Sequence, residues 1–377
     1  MALKIAYISI GDPRSVRYWS SIPFSTVREL RRLGHKVTCV GPLSTWPKII
    51  FAPKKAFYCL MGSSYQPLRE PLMGKMFAYQ IRRQLHQKSY DLAIADSTIP
   101  IAALDTDLPL VYWTDAVVDQ MIGYYSSNIW NLADSHGQTS VLQEQKALDL
   151  CTRAFYASSW SAEYVIKNYN VDEGKVNVRP FGPNLPVPQV LTTSLDERPP
   201  LSRACCRLLF VGIDWQRKGG EIALQAVAEL RRQDVHATMT VVGVSMFAIP
   251  EQDGVNCVGF VDYSTLSGIE VMQELFRSHH FLILPTKAEA LGIVFVEAAG
   301  FGLPSLATRT GGVPSVVVDG KTGVLFDPEE KGTKYAEKII MFIERPDDWR
   351  ELCASARQIF DEQFSWQVIG REFEAIL

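Results

Sequence analysis

Two glutamates with seven residues between them, Glu289 and Glu297, are the most chemically suggestive pair in the chain. On one continuous helix their spacing would set them on nearly the same face, but Pro285 and Gly292 interrupt the stretch. Segment 282–304 therefore reads as an apolar strand, a polar loop carrying Glu289 and Gly292, and a helix carrying Glu297. Exposed amides at such a helix start, with the helix dipole behind them, suit a phosphate. The carboxylate of Glu297 can accept two hydrogen bonds from a vicinal diol such as ribose. Two adjacent cations, Arg217 and Lys218, follow the short apolar run Arg207 to Val211. Fixed cations stabilise negative charge as it develops on phosphate oxygens. Asp115 stands just past the run Leu110 to Trp113, where an aspartate can cap a helix.

The elements that must hold these residues repeat one pattern. Leu3 to Ile10 is apolar, Ser21 to Leu33 has helical spacing stopped by Gly34, and Lys36 to Val40 is β-rich, which makes a β-α-β unit. Short apolar runs at 91–95, 110–113 and 154–157 follow, separated by segments long enough for crossover helices, so a parallel sheet is expected. Segment 185–203, with four prolines among polar residues, breaks the rhythm. A second series then begins with strands at 207–211, 238–242, 256–260 and 281–285 and helices at 221–232 and 269–277, and 332–377 reads as mostly helical. The expected fold class is α/β, with two Rossmann-like doubly wound domains facing a central cleft. That agrees with a chain of 377 residues, since domains usually hold about 100 to 200.

The fullest pattern is Glu289 and Glu297 followed by Gly302-Leu303-Pro304 and Thr310-Gly311-Gly312-Val313-Pro314. It resembles the signature of retaining family-4 glycosyltransferases of the GT-B fold. Segment 210–220, FVGIDWQRKGG, is similar to the strand, loop and helix that supply that family's basic pair to a donor diphosphate. Ile213 stands where the family has an arginine, and Arg217 is the guanidinium available instead. Segment 178–184 resembles the family's P-x-G-x-N run, and segment 14–23 lies where the family has a glycine-rich loop, with Ser20 and Ser21 in place of glycines.

The resemblance implies a retaining, hexosyltransferase-type enzyme of carbohydrate biosynthesis that moves a sugar from a nucleoside-diphosphate sugar to an unidentified acceptor hydroxyl. Glu289, Asp115, Lys218 and Arg217 would be catalytic. Glu297, Gly292, Ile293, Leu291 and Ser21 would bind substrate. It implies an acceptor-side domain over 1–190, a linker over 191–206, a nucleotide-sugar domain over 207–355, and a C-terminal helix over 356–377 that packs back on the first domain. No cofactor and no metal is expected, since no D-x-D motif stands at a strand end to hold a divalent cation. The alternatives are another GT-B nucleotide-sugar enzyme such as an epimerase, or a catalytically silent nucleotide-sugar-binding subunit.

Composition narrows the field further. At 47% hydrophobic and 21% charged residues the chain can bury real cores. A net charge of −3 and a pI near 6.1 argue against nucleic acid as a partner. Seven scattered cysteines without a C-x-x-C pair and six histidines without ligand spacing argue against a disulfide framework or a zinc site. Gly320-Lys321-Thr322 imitates the end of a phosphate-binding loop but lacks its context and reads as a turn. No signal peptide or membrane-spanning run is legible, so a cytoplasmic location is expected. Segment 36–88 nevertheless carries nine Lys and Arg against Glu70 alone, and within it 46–61 mixes aromatic, aliphatic and lysine residues. That segment is able to make a peripheral membrane contact or to grip a phosphorylated acceptor.

Overall fold

A computed structural model describes residues 2–125, 134–188, 198–245, 249 and 252–376. Two compact units partition the chain, one of residues 1–180 with 370–377 and one of residues 181–369. In the first, β1 (Lys4–Ile8), α1 (Ile22–Arg32), β2 (Lys36–Val40), α2 (Ala52–Leu60), α3 (Pro71–Leu85), β3 (Leu92–Ala95), β4 (Leu110–Thr114), α4 (Val118–Met121), α5 (Asp134–Leu150), β5 (Arg153–Tyr156), α6 (Ser159–Asn168) and β6 (Val176–Val178) follow one another. The strands form a six-stranded parallel sheet in the order β2-β1-β3-β4-β5-β6. Every residue of β3 and β4 is buried, as in a parallel sheet covered on both faces.

The second unit contains β7 (Cys206–Val211), α7 (Gly220–Arg232), β8 (Ala237–Val242), β9 (Val255–Gly259), α8 (Leu266–Ser278), β10 (Phe281–Leu284), α9 (Ile293–Gly300), β11 (Ser305–Thr308), β12 (Gly323–Phe326), α10 (Gly332–Glu344) and α11 (Pro346–Ile359). It also holds the start of α12 (Trp366–Ile376). Its parallel sheet runs β12-β11-β10-β7-β8-β9. The order reverses between β7 and β10, and in the first unit between β1 and β3. At such a reversal the loops leaving the carboxyl ends of the two strands diverge and open a crevice.

Two boundaries differ from the sequence reading. Residues from Phe181 onward pack with the second unit, although the first domain was expected to run to 190. The reason is a set of buried polar ties: the Trp366 indole donates to Pro183 O at 2.8 Å, and Glu297 accepts the amides of Asn184 and Leu185. Arg198 belongs there too, donating to the carbonyls of Phe276, Arg277, Phe301 and Gly302 at 2.8 to 3.2 Å. Of the expected linker, 191–197 lies outside the described residues, and Cys206 already begins β7. The helix expected over 356–377 is the end of α11 and then α12, of which only residues 370–377 join the first unit. Segment 320–322 is a turn, as read.

The adjacent histidines serve the core of the second unit. His280 Nδ1 accepts the Arg207 amide at 2.8 Å, so the proton sits on Nε2, which donates to Pro199 O at 2.8 Å. His279 uses Leu275 O and Thr240 Oγ1. Burial lowers both from the usual 6.5 to about 4. Between those values the unfolded chain binds protons that the folded chain refuses. Stability contributed by the pair is therefore full above about pH 6.5 and is lost as pH falls towards 4, by about 3 kcal/mol for each ring. Thermal unfolding of wild type and His280→Gln at pH 7 and pH 5 checks this: the wild type should lose more stability on acidification than the variant.

Candidate functional site

The loop that follows β7 and the loop that follows β10 meet at the reversal point of the second sheet. Lys287 N donates to Arg217 O at 2.8 Å and Thr286 Oγ1 to the same oxygen at 3.3 Å, which joins the two loops. The turn before α7 closes through Gly219, at φ +77°, where a Cβ would stand 1.9 Å from Pro285 O. Only glycine fits that position, and its fit fixes Lys218 beside the end of β10. Asp214 organises the same turn by accepting the Arg217 amide at 3.0 Å on its side chain and the Lys218 amide at 2.9 Å on its carbonyl.

This geometry brings three of the expected residues together. The Lys218 ammonium donates to Glu289 Oε2, and Arg217 Nη1 reaches the same oxygen at 3.3 Å and Ala288 O at 2.8 Å. Lys218 and Glu289 are both buried, so their charges act in a medium less screened than water. The glycine-rich segment after β11 holds the backbone of the loop that carries this carboxylate. Gly312 N donates to Glu289 O at 3.0 Å, and Thr310 Oγ1 to Lys287 O at 3.3 Å. Gly292, at φ +84°, caps α9, with Leu291 buried just before it and Ile293 half-buried as the first helical residue. The first amides of α9 have no partner within the helix, as at any helix start.

Glu297 departs from the simple diol acceptor read in the sequence. It is only 2% exposed, and its Oε1 accepts the amides of Asn184 at 3.2 Å and Leu185 at 3.0 Å. Burial pushes its pKa from 4.5 to about 7, and the two amides partly oppose that rise. One oxygen of this carboxylate thus already holds backbone. Any hydroxyl ligand must share it or use the other oxygen.

Ser21 and Asp115 belong to the first unit. Asp115 follows β4 and is half-buried, with its carbonyl accepting the Ser161 hydroxyl at 2.5 Å. Ser21 is the residue before α1, and its hydroxyl donates to Val16 O. Trp19, Ser20 and Ser21 have φ of 42°, 51° and 63°, three successive non-glycine residues in left-handed conformation. Each such residue costs about 1 to 2 kcal/mol relative to right-handed backbone. The loop therefore adopts a glycine-like path without glycine, which the serines alone did not suggest.

Sequence reasoning passed over a second polar cluster, at the β1/β3 reversal of the first unit. Asp96 directly follows β3 and Ser9 directly follows β1. Asp96 is 4% exposed with both carboxylate oxygens lacking a hydrogen-bond partner, and Ser9 Oγ is unpartnered as well. Desolvation raises Asp96 to about 7; Ser9 lies near enough to oppose the rise without forming a well-aligned bond. The available signal was an aspartate standing one residue past an apolar strand in a doubly wound sheet. Among the described residues no three His, Cys, Asp or Glu side chains gather as metal ligands would.

Comparison with known proteins bears on the domain and the fold. Residues 205–345 match the family model of glycosyl transferases group 1, a span that covers β7 through α10 and so the whole Lys218–Glu289 site. A D-inositol 3-phosphate glycosyltransferase of Paenarthrobacter aurescens (strain TC1) is 27% identical over 238 residues, which are 59% of this chain and 56% of that protein. The chain thus spans about half the length of that curated relative. Among solved structures, sucrose-phosphate synthase from Thermosynechococcus elongatus is similar at a TM-score of 0.69 and 18% identity, covering 99% of this chain and 98% of that one. The Anabaena protein HepE in complex with UDP-glucose is similar at 0.66 and 16% identity, with the same coverage. These likenesses show the GT-B fold.

Proposed function

We propose that this GT-B chain, which carries a group 1 glycosyltransferase domain at 205–345, transfers a sugar from a nucleoside-diphosphate sugar to an acceptor hydroxyl with retention at the anomeric carbon. The observation that carries the reading is the convergence of Lys218, Arg217 and Glu289 where β7 and β10 diverge, beside the first turn of α9. The pairing has a chemical use. A donor diphosphate competes for Lys218 and Arg217, and the carboxylate of Glu289 then turns to the hydroxyls of the sugar. As the glycosidic bond breaks, charge gathers on the departing phosphate oxygens, where the two cations and the amides at Gly292 and Ile293 stabilise it. Glu297 takes the ribose, and Asp115 and Ser21 serve the acceptor side.

Donor binding on this reading draws its positive charge from side chains and helix amides rather than from a metal. The screen begins with UDP and UDP-glucose, the latter being the ligand bound to the Anabaena protein. A nucleotide at 100 times its dissociation constant should stabilise the protein by about 2.7 kcal/mol. That stabilisation should be the same with EDTA present, and so should transfer. A strict need for magnesium or manganese would overturn the metal-free reading. Arg217→Ala should weaken binding moderately, because Lys218 keeps the shorter contact with the shared oxygen.

A further inference from the structure

The first unit carries an apolar surface that its own fold leaves open. Residues 46–51 form a tight helical turn that runs into α2, and α2 has no buried residue. One side of this element is anchored. Phe51 packs against the core, Tyr58 stacks on Tyr65 at 5.4 Å, and Lys54 pairs with Glu70 at 2.7 Å while Tyr65 donates to the same carboxylate oxygen. The other side is apolar and faces solvent. Phe57, Leu60 and Met61 stand three and four residues apart on one face, and Trp46, Ile49 and Ile50 extend the patch from the preceding turn. Leu60 is 88% exposed and Trp46 71%. A soluble surface scatters such residues singly, whereas six on one short element mark a contact surface.

The charge around the patch identifies the partner. Lys48, Lys55 and Lys75 are exposed, and no acidic residue occurs between Lys36 and Glu70. The single acid of the segment, Glu70, is engaged by Lys54 and Tyr65, so its charge is locally offset. The six apolar side chains are each more than half exposed. Exposed apolar groups interspersed in sequence with exposed lysines suit a soft anionic surface that they can enter, with long lysine stems reaching the headgroups. We propose that 46–61 is a peripheral docking surface for an anionic lipid bilayer, independent of the transferase reading of the second unit.

The test uses the full chain with vesicles of phosphatidylcholine alone or mixed with phosphatidylglycerol. Cosedimentation should rise with the anionic lipid and fall as salt is raised, because screening weakens the lysine attraction. Leu60→Ser/Met61→Ser should lower vesicle affinity about tenfold or more while leaving the thermal transition unchanged, since both side chains are already exposed. Lys48→Glu/Lys55→Glu should remove the preference for the anionic lipid. No binding to phosphatidylglycerol vesicles at low salt would overturn the proposal. Vesicle binding by the serine variant equal to that of wild type would overturn it too. So would a dimer in light scattering that the serine variant alone dissolves, which would mean that a second copy of the chain covers the patch.

Discussion

Lys218→Ala should slow sugar transfer by about two to three orders of magnitude, the largest effect expected of any single substitution in the second unit. The ammonium meets Glu289 in a buried pair, and Arg217 shares the same carboxylate oxygen at 3.3 Å. Removing one partner of such a pair leaves a buried charge poorly compensated, so a loss of stability of about 3 kcal/mol should accompany the loss of rate. The two effects separate in a second variant. Lys218→Met/Glu289→Gln removes both charges at similar volume and should recover most of the stability and none of the activity. Steady-state rates beside chemical denaturation of the two variants decide the matter. Wild-type turnover in Lys218→Ala would remove this residue from the site.

Glu297→Gln should make the second unit more stable and worse at holding nucleotide. The folded carboxyl titrates near 7 instead of 4.5, so between those values the folded chain keeps a proton that the unfolded chain releases. The unfavourable contribution of Glu297 therefore grows as pH rises from about 4.5 to 7 and is constant above, at about 3 kcal/mol. Glutamine keeps an oxygen for the amides of Asn184 and Leu185 and has no charge to desolvate. Against wild type, the variant should be of similar stability at pH 5 and more stable at pH 8. Affinity for UDP should fall about tenfold or more, because a charge-assisted acceptor for the ribose is lost. Calorimetry with free UDP checks the second statement, and unchanged affinity would refute the ribose assignment. The conflict between the two effects is that of a functional group kept at a cost in stability.

The sequence disclosed most of what depends on short-range pattern. Strands β1, β2, β7, β8 and β10 stand as compact apolar runs bounded by glycine, proline or aspartate, and they fall close to where they were expected. β11 and β12 escaped because Gly302, Pro304 and Gly323 stand at their starts and read as punctuation of a loop, although β10 is equally short and was legible. The convergence of Lys218 with Glu289 was expected in kind, but it depends on the pairing of β7 with β10 across some 70 intervening residues, which no local pattern records. Asp96 shows the limit from another side. Nothing in the run Leu92–Ala95 followed by aspartate tells a capped strand end from a buried carboxyl without a partner, because burial is decided by the packing of distant elements.

Helix α12 starts at Trp366 among residues of the second unit and passes into the first at Gly370. A Cβ on Gly370 would stand 2.3 Å from Leu33, and Glu372 pairs with Arg179 at 3.5 Å. Residues 370–377 thus pack with the unit whose sheet is made from strands β1 to β6, far earlier in the sequence. During synthesis β1 to β6 leave the ribosome long before residues 370–377 exist, so the first unit must wait, incompletely covered, while the second is translated. Closing α12 onto α1 is a contact between residues more than 330 positions apart, the kind that forms late in folding. Completion of the first unit is therefore tied to synthesis past Gly370, and a product that stops at Ile369 keeps the residues of the second unit but lacks part of the first.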